Sequence, residues 1–124
     1  MPQSSIIVRR LGDVPADHSL GSYLLTPLMG REEQDRMTVW HVRIEPGVET
    51  RTGFHARAEE VYFVLDGAGV ALLNGVEHAL APGTFLRLPA GTRHAFRAGP
   101  DGLSMLDVHS PGCWPDHDTF FENG

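Results

Sequence analysis

Residues 47–67 read GVETRTGFHARAEEVYFVLDG. The stretch places His55 five residues ahead of Glu60, and Glu60 opens onto the apolar run 61–65, which closes on Asp66-Gly67. β-branched and aromatic residues at this density mark a strand, and Asp-Gly marks a turn after it. A second stretch, 83–96 (GTFLRLPAGTRHAF), supplies His94. Two imidazoles and a carboxylate carried on strands are the components of a small metal site. The rest of the chain reads as the framework that holds them.

That framework is written in period two. Residues 37–44 (MTVWHVRI) alternate Trp40, Val42 and Ile44 against Val39, His41 and Arg43, the pattern of a strand with two different faces. Asn74-Gly75 separates two more apolar runs, 69–73 and 76–80. Both positions tolerate positive φ, so this is a two-residue hairpin. Further strands are expected at 6–10, 22–29 with a break at Pro27, 51–55, 84–88, 93–98 and 103–109. Residues 12–21 read as a loop and 31–36 as a charged surface turn. No segment carries a helical period. Short strands with turns every eight to twelve residues point to a sandwich or barrel. The tail, 111–124, holds two prolines and an acidic, aromatic end, and is expected to pack across one end of the barrel.

The chain of 124 residues fits one domain, 1–124, and its 41% apolar content suffices for one ordinary core. Fourteen glycines and nine prolines suit a chain with many turns. The net charge of -6 offers no basic stripe for phosphates, so no nucleic-acid partner is expected. A single cysteine, Cys113, excludes an intrachain disulfide and suits a reducing cytosol. The start shows no signal-peptide pattern, and no run approaches the roughly 18 apolar residues that span a bilayer. A soluble, cytoplasmic protein is the expectation.

Residues of equal parity on a strand share a face. If His55, Glu60 and His94 all point inward, they meet around one ion. Two neutral imidazoles and a carboxylate suit Fe(II), Mn(II), Ni(II), Zn(II) or Co(II), and leave positions open for a substrate. The ion would act as a Lewis acid, or bind oxygen if it is iron. Tyr62 is available as an acid or hydrogen-bond donor. His41 and Arg51 are candidates for lining the cavity and holding an anionic substrate, each weighed against a surface position. Asp107 and His109 alternate with Leu106 and Val108, which puts them on the less apolar face of the last strand. His18 and His78 read as exposed, and Arg87 as outward between Leu86 and Leu88.

Gly47, His55, Glu60 and Gly67, followed by Gly83, Pro89, Gly91 and His94, resemble the two motifs of the cupin superfamily. The first reads G-x5-H-x-H-x3,4-E-x6-G; here the spacing runs Gly47, Gly53, His55, Glu60, Gly67. The second reads G-x5-P-x-G-x2-H-x3-N; here Gly83, Pro89, Gly91 and His94 fit at every spacing. The resemblance covers residues 37–110. It implies an all-β fold: an antiparallel cupin barrel of the jelly-roll or double-stranded β-helix kind. Two positions depart from the pattern: Gly53 stands where the first metal histidine is usual, and Ala98 where the second motif ends in Asn.

By the resemblance, His55, Glu60 and His94 remain as ligands of one divalent transition metal (Fe, Mn, Zn or Ni). Three readings of Gly53 stay open. The site keeps three protein ligands, or a histidine from elsewhere (His41, His109 or His117) fills in, or the metal is lost and the cavity kept. The resemblance implies a homodimer with the N-terminal strand as contact element. It also implies a metal-dependent enzyme of the dioxygenase, decarboxylase, isomerase or polyketide-cyclase type, acting on a small molecule that chelates through oxygen. The alternative is a non-catalytic ligand-binding or sensor barrel. Ectoine synthase ranks low, because Leu86 falls where that family has a metal-binding tyrosine.

Overall fold

The structure, a computed structural model, describes residues 6–16 and 18–122. Nine strands lie among the described residues: β1 (His18–Leu20), β2 (Tyr23–Pro27), β3 (Thr38–Ile44), β4 (Gly53–Phe54), β5 (Glu59–Leu73), β6 (Val76–Leu80), β7 (Phe85–Leu88), β8 (His94–Ser110) and β9 (Phe120–Phe121). One 3-10 turn at Leu11–Asp13 is the sole helical element among the described residues. All pairings are antiparallel. One path runs β1-β2-β3-β8-β4-β9, and β5 pairs with β6, β7 and β8. The result is a curled all-β barrel.

The two long strands β5 and β8 are its spine. The first half of β5 pairs with the second half of β8 (Glu60↔His109, Val64↔Met105), and the second half with the first (Ala71↔Phe96, Leu73↔His94). Asp66-Gly67, expected to be a turn, lies inside β5, and 61–65 and 69–73 are one strand. The register instead slips between Val64 and Asp66 and between Gly67 and Gly69. Such irregularities bend a strand without ending it. Gly67 sits at φ +82, and a Cβ there would lie 2.2 Å from the Gly102 carbonyl oxygen, so only glycine fits the backbone crossing. For the same reason 93–98 and 103–109 merge into β8.

Other expectations hold locally. β3 alternates buried and half-buried residues along its whole length. Asn74-Gly75 forms the β5–β6 hairpin with φ of 50 and 82. Residues 6–10 form no strand: Ile6 and Val8 are 94% and 92% exposed, and no strand among the described residues pairs their backbone. Part of the expected loop 12–21 is β1, because Leu20 and His18 find partners on β2. The core runs down the barrel axis through Trp40, Val42, Ile44, Val64, Phe96, Leu103 and Met105. Burying each large apolar side chain there contributes about 1.5–3 kcal/mol.

Candidate metal centre

Glu60 stands at the start of β5, 1% exposed, between Leu88 of β7 and His109 of β8. Three imidazoles surround its carboxylate. His55 Nε2 lies 3.3 Å from Oε1, His94 Nε2 3.4 Å from Oε1, and His109 Nε2 2.8 Å from Oε2. The His55 ring is edge-on to that of His109 at 4.6 Å and tilted against that of His94 at 5.3 Å. Despite these distances neither Glu60 oxygen has a hydrogen-bond partner, and Asp107 Oδ1 has none either. A buried carboxylate left so is costly unless a cation compensates it. The nitrogens and oxygens point toward shared space rather than along N–H bonds to one another.

The far side of each ring explains its aim. His55 Nδ1 donates to the Asp118 carbonyl at 2.8 Å, and His94 Nδ1 to the Thr92 carbonyl at 3.1 Å. A carbonyl can only accept, so both Nδ1 atoms carry a proton and Nε2 is the atom left facing inward, a ligand atom whenever the ring is neutral. His109 Nδ1 lies 3.2 Å from Thr38 Oγ1, which also accepts the Cys113 N–H at 3.0 Å. A histidine anchored at one nitrogen and offering the other is the usual state of a metal ligand. The ligand atoms of His55, Glu60 and His94 lie within 4.8 Å of one another, as do those of Glu60, Asp107 and His109. A third group, His55, His109 and Cys113, meets the same limit, and each of the three offers donors that suit a divalent transition metal.

Charge inside the site is divided unequally. Burial opposes ionisation of Glu60, but His109 and His94 outweigh it and hold the carboxyl well below its usual range. Burial, and then the charge of Glu60, push Asp107 well above its usual range. Burial lowers His94 and favours its neutral form. Burial also lowers His55, yet contacts with Cys113 and Glu60 outweigh that and raise it to about 11. Tyr62 is pushed well above 10 by burial and by Asp107, and stays a phenol.

The site opens into a cavity of about 50 Å3 lined by apolar and aromatic residues, among them Leu25, Trp40, Val42, Phe54, Tyr62 and Phe121. Of the three residues weighed for catalysis, Tyr62 lines it. His41 lies on the other face of β3, with Val39 and Arg43. Arg51 is exposed and stacks on the Phe121 ring at 4.6 Å, outside the cavity lining. His117 is exposed on the tail, and His78 on β6. His18 is not exposed as expected: it is half-buried, edge-on to Trp40 and Trp114.

Gly53 lies against the tail. β9 pairs with β4, setting Phe121 opposite Gly53. A Cβ at 53 would lie 3.0 Å from the Phe120 carbonyl oxygen and 3.2 Å from the Phe121 ring. The imidazole absent there has a counterpart in His109, which reaches Glu60 from β8. Asp107 and His109 share their face with the buried Leu103 and Met105, whereas Leu106 and Val108 lie on the other face. Sequence reasoning took the more apolar face for the inner one. The parity of Leu103 and Met105 carried the right answer. Thr38 and Asp118 were missed, and nothing in the order of residues marks them.

A family described as "Cupin domain" matches residues 40–109. Over 101 residues the chain is 36% identical to Protein SchB of Streptomyces halstedii, covering 82% of this chain and 67% of that protein. Over 79 residues it is 33% identical to the dimethylsulfoniopropionate lyase DddW of Ruegeria pomeroyi, covering 63% of this chain. That match spans 51% of the lyase, about half its length. Among solved structures, the polyketide cyclase RemF from Streptomyces resistomycificus superposes with a TM-score of 0.78 at 21% identity, covering 95% of this chain and 86% of that one. At that identity the likeness is one of fold.

Proposed function

The chain belongs to the cupin domain family, and from that footing we propose that it is a metal-dependent enzyme whose ion is held by His55, Glu60, His94 and His109. The observation that carries the reading is the convergence of three anchored imidazoles on a buried carboxylate that has no hydrogen bond of its own. Of the three readings of Gly53, this is the one in which a histidine from elsewhere fills in. The substrate is a small organic molecule that binds through an enol, phenol or carboxylate oxygen, its apolar body against Trp40, Val42 and Phe54. The lyase among the similar proteins supports proton-transfer chemistry over an oxygenase.

A divalent ion supplies Lewis acidity, polarising a substrate oxygen and stabilising the negative charge that develops on it. The chain's own residues handle the protons. Asp107 lies beside the centre, its Oδ2 3.7 Å from His109 Nε2, and lines the same cavity, where its carboxyl group can exchange a proton with the substrate. Tyr62 keeps its phenolic proton and serves as a donor toward the substrate. The apolar wall excludes water, which strengthens each of these interactions.

Metal analysis of untagged protein tests the reading. About one equivalent of Fe, Mn, Zn or Ni per chain is expected, lost in His55→Ala and His94→Ala. Protein that resists loading with all four metals would sink it. Turnover of candidate phenols or diketones with no oxygen uptake would then separate a lyase or cyclase from an oxygenase. Tyr62→Phe is expected to lose kcat while keeping its metal.

A further inference from the structure

Asp118 lies in the tail, far in sequence from either motif, yet it touches the site's frame at four points. Its carbonyl accepts the His55 Nδ1–H at 2.8 Å. Its carboxylate accepts the backbone N–H of Ala56 at 2.8 Å, of Arg57 at 3.1 Å and of Ala58 at 2.9 Å. Those three residues form the bend between His55 and the strand that carries Glu60. Asp118 itself sits at φ 57, a left-handed conformation that Asp and Asn tolerate better than other side chains. The tail around it is fastened independently: Trp114 packs edge-on to Trp40 at 4.7 Å, Thr119 Oγ1 donates to the Trp114 carbonyl at 2.8 Å, and β9 pairs with β4.

We propose that Asp118 is a positioning residue for the metal centre. Its carbonyl fixes the tautomer and aim of His55, and its carboxylate ties the 56–58 bend so that His55 and Glu60 keep their mutual distance. The tail thereby sets metal affinity without supplying a ligand. The proposal rests on the metal reading above and adds to it a residue outside both motifs. The physical ground is that removing a group which orients a ligand costs roughly 10–100-fold in metal affinity. The arrangement is also one-sided. The three N–H groups belong to a short bend with no ladder of its own, so Asp118 is what holds them in place.

The test is chelator competition with Co(II) on the full chain, comparing wild type, Asp118→Gly, Asp118→Asn and His94→Ala. Glycine accepts the left-handed backbone and keeps the carbonyl, so Asp118→Gly removes the carboxylate with the least strain. It is expected to weaken Co(II) binding roughly 10–100-fold and to change the Co(II) absorption spectrum. The amides of 56–58 should lose hydrogen-exchange protection while β3 and β8 keep theirs. Asp118→Asn retains one acceptor oxygen and should fall between wild type and Asp118→Gly. A merely structural role would lower the melting temperature of the metal-free protein and leave affinity and spectrum of the folded protein as in wild type. That result overturns the proposal while the metal reading stands. Failure of wild type to take up Co(II), with His94→Ala indistinguishable from it, overturns the metal reading and this proposal with it.

Discussion

Glu60 and His109 face each other across the β5–β8 ladder, and His109 Nε2 lies 2.8 Å from Glu60 Oε2. The pairing puts a third imidazole on the carboxylate of the first motif from a strand position outside either motif. His109→Ala should therefore cost more metal affinity than the roughly 10–100-fold that follows loss of an orienting partner. Metal content and chelator competition check this. An unchanged affinity would reduce the site to His55, Glu60 and His94.

Restoring the family's usual histidine should not help. In Gly53→His the Cβ alone would stand 3.0 Å from the Phe120 carbonyl oxygen and 3.2 Å from the Phe121 ring, so β9 must give by a few tenths of an ångström, and the imidazole adds to the crowding. Overpacking of this kind costs about 1–3 kcal/mol. The urea midpoint should fall accordingly and metal affinity should not rise. A variant with wild-type stability and tighter metal binding would show that β9 yields the position readily.

Thr38 serves two buried groups at once, His109 Nδ1 and the Cys113 N–H. It is 1% exposed. Thr38→Val keeps the shape and removes both bonds. Leaving the Cys113 N–H unpaired should cost about 1–3 kcal/mol, read from thermal or urea unfolding. Freeing His109 should weaken metal binding roughly 10–100-fold, read by competition. Loss of stability with metal affinity intact would mean that Thr38 does not orient His109.

The N-terminal segment is fastened to the 30–33 turn through Arg9 and Glu33. Arg9 bonds both Glu33 oxygens, and the Gly30 N–H donates to one of them. The Arg9 bond, and then the Gly30 bond, lower Glu33 to about 2 from its ordinary value of 4.5. The sign follows: the contact is complete above the unfolded pKa and is lost only as pH falls through about 2. Carbon-13 titration of the Glu33 carboxyl should show this low midpoint, and Arg9→Ala should move it up toward the ordinary value. A wild-type midpoint already at the ordinary value would mean that the pair does not persist in solution.

Much of the fold is local and so is legible in the chain. Period two in 37–44 gave β3, and Asn74-Gly75 gave the β5–β6 hairpin, because side-chain alternation and positive φ are properties of a few neighbouring residues. The motif spacing brought out His55, Glu60 and His94 as a candidate set, all three of which the barrel brings together. The errors lie where a local signal met a tertiary demand. Asp66-Gly67 has turn chemistry, but β8 runs alongside it and the strand continues through a bend. Ile6 to Arg10 has strand composition, but no strand among the described residues pairs with its backbone.

What the sequence alone determined is the family of barrel, the hairpin and three candidate residues that the fold places side by side. Only the tertiary structure decided that His109 joins them, that Asp107 shares their cavity, and that Phe121 fills the space beside Gly53. His109 reaches Glu60 because register between two long strands sets which residues stand opposite across the chain, and register is fixed by the packing of the whole inner face. Asp118 grips His55 because the tail folds back over the barrel mouth. Neither fact has a local cause, so neither leaves a local trace.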